Sequence, residues 1–410
     1  MEVAPRSRPA RVLRESLDSE RPHLVNRSTF RIAAAPAALL LTFSLAACGA
    51  ANEETDSNSD TTAAGGESTA GSGDDTAGAE APAEELSGSI AGAGASSQGA
   101  AMEAWKASFE STHGDVTVSY DPVGSSGGRE QFLSGATVFG GSDAYLSDEE
   151  VALAADRCEG GELIELPAYV SPIAIAYNVE GVDQLNLSPE TLAKIFTQEI
   201  KTWDDPAIAA DNPDATLPSD AIAPVNRSDG SGTTKNFTDY LSAAAPDVWT
   251  HGAVDDWPVP GGTGGQGTSG VVDAIGRTAG AIGYADASQI GELKTVSVKV
   301  GEEFVGPDPE AAAKIIDASP RVEGRGEYDF AVDIDRETQE AGVYPVVLAA
   351  YTMACTKYED ANDAALVKAF LSYMVSEEGQ TVAQQNAGSA PISQTFRDNA
   401  MKAIDAIETE

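Results

Sequence analysis

The chain has 410 residues, and 65 Asp and Glu against 25 Lys and Arg give a formal charge of −40. That sign excludes a general nucleic-acid binder, whose grip on phosphate backbones comes from clustered Lys and Arg, and aromatics at 6% are too sparse for base-stacking platforms. Three His and three Cys leave too few ligands for a multi-histidine metal cage, so neither metal nor cofactor is expected, while 42% hydrophobic residues over this length supply a globular interior divided between two lobes.

Residues 32–45 are apolar, follow Arg27 and Arg31, and run into Leu45-Ala46-Ala47-Cys48. The stretch is shorter than the ~20 residues a spanning helix needs and contains Pro36, so residues 1–47 read as a signal peptide. The Leu-Ala-Ala-Cys ending resembles the lipobox of bacterial lipoproteins, which implies that cleavage leaves Cys48 as a lipidated N-terminus on the outer face of the cell membrane. A core Cys beside an ordinary cleavage site is the alternative. The residues ahead of the apolar stretch are many for a basic leader region, and translation starting at Val25 would shorten them. From Gly49 to Glu85 there are ten Asp or Glu and no Lys or Arg among Ala, Gly, Ser and Thr. Such a composition cannot bury enough apolar surface to offset its ordering entropy, so residues 48–86 are expected to be a disordered tether.

The segments Ser89–Gly92, Val116–Tyr120, Leu163–Leu166, Ile173–Asn178, Ile222–Val225 and Val346–Met353 are short, apolar or alternating, and bounded by turn residues, which predicts strands. Between them, Ala101, Trp105, Ala107 and Phe109, and later Leu366, Phe370, Tyr373 and Met374, recur at helical spacing. The alternation predicts an α/β fold. No second linker as polar as the tether interrupts it, so two lobes would be joined by short ordered strands flanking a hinged cleft. Once Cys48 is acylated, only Cys158 and Cys355 remain in an oxidising compartment. They are expected to form a disulfide, with two separate buried thiols as the alternative.

Four loops combine glycine with hydroxyls: Gly92-Ala93-Gly94-Ala95-Ser96-Ser97, Gly124-Ser125-Ser126-Gly127-Gly128, Phe139-Gly140-Gly141-Ser142-Asp143, and Asn226-Arg227-Ser228-Asp229-Gly230-Ser231-Gly232-Thr233. Each stands where a strand could turn into a helix. Glycine lets backbone amides approach a ligand, and a helix N-terminus offers unpaired N–H groups, so together they make a plausible anion cradle. Taken singly, each is equally a flexible turn, and a Ser at a helix start equally an N-cap. Gly92-x-Gly94 lacks the third glycine of a dinucleotide fingerprint, and Gly230 to Lys235 lacks the Gly-Lys-Ser/Thr ending of a P-loop. His113 and His251, the histidines left in the mature chain, have no Gly-x-Ser-x-Gly partner, so no enzyme is expected.

In this order, Gly-Ala-Gly-Ala-Ser, Gly-Ser-Ser-Gly-Gly, Phe-Gly-Gly-Ser-Asp-Ala-x-Leu-Ser and Arg-x-Asp-Gly-Ser-Gly-Thr resemble the substrate-binding protein of the bacterial high-affinity phosphate ABC transporter. So do Ile195-Phe196 with Trp203-Asp204-Asp205, the Gly261–Gly267 loop and Gly280-Ala281-Ile282-Gly283-Tyr284. The resemblance spans roughly Ser87 to Ala400. It implies a type II periplasmic-binding-protein fold: two α/β lobes, residues 87–178 with 343–410 and residues 179–342, joined by a two-strand hinge with the ligand cleft between them. It further implies that a monomer binds inorganic phosphate and delivers it to a membrane permease and ATPase complex. The phosphate ligands would be Ser96, the Ser97 amide, Ser125, Asp143, Arg227, Ser231, Gly232 and Thr233, with Asp229 orienting Arg227. Where the family commonly carries Thr-Phe, this chain has Ser96-Ser97.

The residue chemistry agrees with this. Arg227 can grip an oxyanion through two hydrogen bonds while Asp229 balances its charge. Asp143 suits an anion only if that anion brings a proton, as phosphate does near neutral pH and sulfate does not; capping the helical run Leu146–Ala155 is its alternative role. A secreted phosphatase using Ser125 or Ser231 as nucleophile, and a surface or signalling paralogue that has lost the ligand, are the rival functions.

Overall fold

The computed structural model describes residues 86–409. The expected leader 1–47, Cys48 and the tether apart from Leu86 lie outside the described residues. In chain order the elements are β1 Gly88–Gly94, α1 Gly99–Thr112, β2 Val116–Asp121, α2 Ser125–Leu133, β3 Phe139–Ser142, α3 Asp148–Arg157 and β4 Leu163–Asn178. They continue with β5 Leu185–Leu187, α4 Pro189–Phe196, α5 Pro206–Asp211, β6 Ala223–Arg227, α6 Gly232–Ala244, β7 Thr263–Gly265, α7 Gly267–Arg277 and β8 Ala281–Asp286. The last are β9 Lys294–Val300, β10 Glu303–Val305, α8 Pro309–Ala318, β11 Val347–Cys355, β12 Lys357–Tyr358, α9 Ala361–Val375, α10 Glu377–Ala387, α11 Gln394–Asp405 and β13 Glu408–Thr409.

The main sheet runs β2-β1-β3-β11-β4-β8-β6-β7. β1 pairs in parallel with β2 and β3, whereas β11 lies antiparallel to β3 and β4. β4 is the element that makes two lobes from one sheet. Its first half, Leu163–Pro172, pairs with β11, and its second half, Ile173–Asn178, pairs with β8. The sequence had predicted two strands here, and the structure joins them into one. Pro167 and Pro172, which read as breakers, sit where a missing N–H costs little: Pro167 opposite Tyr351, beside a register shift in β11, and Pro172 next to the exchange of partners. The return crossing is pinned alongside, with Ile173 N donating to Val346 O at 2.7 Å and the Tyr344 hydroxyl to Ile173 O at 2.8 Å.

Each half of the sheet is covered by helices whose buried side chains form the core. Phe109 of α1 and Phe139 of β3 both pack on Phe370 of α9, and Trp105 of α1 meets Tyr169 of β4 edge-on, all with 1% exposure or less. On the other side, Phe196, Phe237, Trp249 and Tyr284 stack around Trp257. Helix starts follow their capping residues: Ser188 ahead of Pro189 for α4, Asp308 ahead of Pro309 for α8, and a reciprocal Ser147–Glu150 capping box for α3. Cys158, at the end of α3, is disulfide-bonded to Cys355 at the end of β11, with 5.3 Å between their α-carbons and a sequence separation of 197. The segment between α8 and β11 runs back along the first lobe, where Phe330 N donates to Glu165 O at 2.8 Å. Among the described residues no helix is long and apolar enough to cross a membrane.

Candidate functional site

All eight expected ligand residues, and Asp229, converge where the C-terminal ends of β1, β3 and β6 meet the N-termini of α2 and α6. In the first lobe β1 delivers Ser96 and Ser97, Ser125 is the first residue of α2, and β3 ends just before Asp143. In the second, β6 ends at Arg227, and Gly232 and Thr233 open α6 behind its N-cap Ser231. Except for half-buried Ser96, every one of the eight is buried.

Asp143 joins the two sides. Its Oδ1 accepts from the Ser97 hydroxyl at 2.5 Å and its Oδ2 from the Thr233 hydroxyl at 2.7 Å, so one carboxylate holds a residue of each lobe. Its own N–H donates to Ser125 Oγ at 3.1 Å. Its alternative role as a helix cap is taken by Ser147, whose hydroxyl accepts from Glu150 N. Burial pushes the Asp143 carboxyl above the usual range, and the Ser97 and Thr233 hydrogen bonds with the Arg227 and Arg129 charges only partly offset it.

Arg227 presents Nε and Nη2 to the two oxygens of Asp229, at 2.8 and 2.5 Å. Asp229 Oδ1 also accepts from Gly267 N at 3.0 Å. Burial alone would raise the Asp229 carboxyl, but the Arg227 hydrogen bond and charge outweigh it and hold the group below the usual range. Charge on this pair is therefore balanced before any anion arrives. Tyr284, inside β8, supports the loop: its hydroxyl accepts from Arg227 N at 3.3 Å and lies 2.8 Å from Thr234 Oγ1.

Ser231 Oγ accepts from Thr234 N at 3.2 Å, the N-cap role open to it from sequence, and its O–H can still donate. Gly232 and Thr233 stand in the first turn, where backbone N–H groups have no intrahelical acceptor. No larger residue fits at Gly232, since a β-carbon there would lie 2.6 Å from Ser125 Oγ and 2.8 Å from Asp143 Cβ. Gly124, at φ +95°, brings the start of α2 against Asp229 in a conformation that side chains disfavour.

Several groups that sequence reasoning did not single out close the cleft around these residues. Thr268 N donates to Ser96 Oγ at 3.1 Å, and Gln289 Nε2 donates to the carbonyls of Ser96 and Ser97 at 2.9 and 2.6 Å. Arg129 of α2 reaches Asp255 of the opposite lobe at 3.3 Å. Asn236 Nδ2 donates to Asp143 O at 2.6 Å. Thr268 directly follows the glycine loop and Asn236 lies four residues, about one turn, beyond Gly232, so both carried a usable signal. Gln289 has no local one. His113 stacks on Phe109 with centroids 4.3 Å apart and His251 lies 5.1 Å from Trp249, both as neighbours of aromatic side chains rather than of these loops.

Two lobes therefore bring an arginine with its partner Asp229, four serines, a threonine, two helix N-termini and the acid Asp143 to a single point. A sequence model of the PBP superfamily domain matches residues 55–378. Phosphate-binding protein PstS 3 of Mycobacterium tuberculosis is 37% identical over 320 residues, covering 77% of this chain and 85% of the relative. PstS 3 of Mycobacterium leprae is 36% identical over 322 residues, with the same shares covered. Among solved structures, a high-affinity periplasmic phosphate-binding protein called PfluDING, bound with phosphate, aligns with a TM-score of 0.63 at 22% identity over 77% of this chain and 93% of its own. The phosphate-binding protein of Stenotrophomonas maltophilia aligns with a TM-score of 0.60 at 20% identity, covering 77% and 94%. At that identity the structural matches speak to the fold, a periplasmic-binding-protein fold of two α/β lobes, and the sequence matches to the family. This chain belongs to the PBP superfamily and, within it, to the family of PstS phosphate-binding proteins.

Proposed function

We propose that this chain binds inorganic phosphate between its two lobes, which part where β4 exchanges β11 for β8, and hands it to an ABC permease and ATPase complex. The observation that carries the reading is Asp143: a buried acid held by Ser97 and Thr233 among groups that otherwise donate to an anion. Such an acid stabilises only an anion that shares a proton with it. Hydrogen phosphate brings that proton, and fully ionised sulfate does not. Arg227 supplies charge, the Ser96, Ser125 and Ser231 hydroxyls and the Ser97, Gly232 and Thr233 amides supply donors, and Asp229 keeps the guanidinium aimed. No bond is made or broken. Phosphate held by both lobes favours the closed state, and opening releases it.

We further read residues 1–47 as a removed leader and Cys48 as a lipid anchor that keeps a monomeric receptor on the outer face of the cell membrane, on the strength of Leu45-Ala46-Ala47-Cys48 behind the apolar stretch. Titration calorimetry of the purified chain with phosphate tests the function. The wild type should bind tightly, and Arg227→Ala should stay folded and lose about 1.5–3 kcal/mol, or 10- to 100-fold, for a charged hydrogen-bond donor. Phosphate binding that survives intact in folded Arg227→Ala, or hydrolysis of a chromogenic phosphate ester, would overturn it.

A further inference from the structure

Arg336 lies between α8 and β11, outside every motif of the sequence, and its side chain is 3% exposed. We propose that Arg336, acting through Asn236, is a positioning residue that sets the Asp143 main chain against the N-terminus of α6 in the closed protein. The inference rests on the phosphate-binding reading above.

A guanidinium carries donors only, and each donating nitrogen of Arg336 is engaged. Nε reaches Asp239 Oδ2 at 3.0 Å, Nη1 reaches Pro345 O at 2.9 Å and Val347 O at 2.7 Å, and Nη2 donates to Asn236 Oδ1. A group that cannot accept forces the Asn236 carboxamide to turn its oxygen toward Arg336. Its nitrogen then faces the opposite way, where it donates to Asp143 O at 2.6 Å and Gly232 O at 2.9 Å. Flipped, the same amide would aim its oxygen at two carbonyl oxygens. Arg336 thus fixes which way Asn236 points, and Asn236 ties the acid of one lobe to the helix start of the other.

Packing does not do this work alone. A cavity of about 110 Å³ lies against Asp143, Asn236 and Arg336, so hydrogen bonds hold these groups in register. Pro345 and Val347 belong to the return crossing, beside the point where β4 changes partner. One rigid fork therefore grips both the hinge and the back of the site.

The test is calorimetry with inorganic phosphate, repeated with sulfate as competitor, on the wild type, Asn236→Ala, Arg336→Gln, their double variant and Arg336→Lys. Gln at 336 can accept as well as donate and so frees the amide to flip, while Lys keeps a donors-only head. Asn236→Ala and Arg336→Gln should each weaken phosphate binding about 5- to 10-fold, the worth of an ordinary hydrogen bond. Sulfate should compete better against both, because the Asp143 carboxylate loses its fixed position. The double variant should be no worse than the weaker single one, and Arg336→Lys should keep most of the affinity. Wild-type affinity and selectivity in folded Asn236→Ala, or additive losses in the double variant, would overturn the proposal. If Arg336→Gln does not fold, Asn236→Ala and Arg336→Lys decide by the same criteria. A wild type that does not bind phosphate would defeat the functional reading instead.

Discussion

At Asp143 the account makes its most selective claim. Asp143→Asn keeps the shape, removes a repulsive charge and adds a donor, so sulfate should compete in the variant. Sites that read one hydroxyl discriminate by ~10⁴ or more, and that ratio should collapse. Because burial raises the Asp143 carboxyl, the wild-type acid takes up its own proton as pH falls, and sulfate should then compete progressively better; the Asn variant should show no such slope. Competition titrations across pH that show equal sulfate rejection in both proteins would refute this role. Asp286 offers a separate test at the hinge. Burial pushes it up to about 7 against the hydrogen bonds from Ser288, and the Tyr169 hydroxyl donates to it at 3.1 Å. The folded state then binds the proton more tightly than the unfolded chain, so this group's contribution is full below about pH 4 and is lost as pH rises toward 7. Denaturant melts should show Asp286→Asn without that component, worth up to a few kcal/mol; identical pH profiles would contradict it. Arg227 and Asp143 were legible in sequence because an arginine and an acid stand out among glycines and serines. Gln289 and Arg336 were not, since the partners through which they reach the site, Ser96 and Asn236, lie 193 and 100 residues away and no spacing rule reaches that far.

Between residue and molecule, the strand-to-helix turns carry the design. α2 and α6 begin at the cleft because Gly124 and Ser231 end the preceding loops, which period and capping chemistry made readable. Short strands such as β5 and β7, three residues each, were not, because so few residues establish no alternation. β4 was misread as two strands because local proline chemistry argues for breaks, and only its two partners explain the continuity. The disulfide is the covalent counterpart of these pairings, tying α3 to the last residue of β11. In the chain-entropy description, closing a loop of 197 residues contributes about 4–5 kcal/mol. Cys158→Ala/Cys355→Ala should therefore unfold at lower denaturant while still binding phosphate, because neither sulfur touches the cleft. A double variant as stable as the wild type, or free thiols in the exported protein by mass spectrometry, would contradict this.

For the whole molecule, a charge of −40 and an anion ligand are compatible because the acids act at different distances. Ten of them fall between Gly49 and Glu85, and exposed charges are screened beyond ~8 Å in physiological salt, whereas Arg227 and the amides of α2 and α6 act at contact. Residues 48–86 as a tether and Cys48 as an anchor predict that Cys48→Ser leaves the protein in the soluble fraction of cells; a variant that stays with the membrane would contradict the anchor. The lobe organisation was legible from alternating strands and helices, while closure required contacts such as Arg129 with Asp255 that no sequence pattern announces. The central claim is that these loops hold phosphate at Asp143 and Arg227. A crystal structure of the chain grown with phosphate tests it most directly. The account predicts a tetrahedral anion within hydrogen-bonding distance of Arg227, Ser125, Asp143 and the Gly232 and Thr233 amides; an anion bound elsewhere, or a closed cleft holding only water, would contradict it.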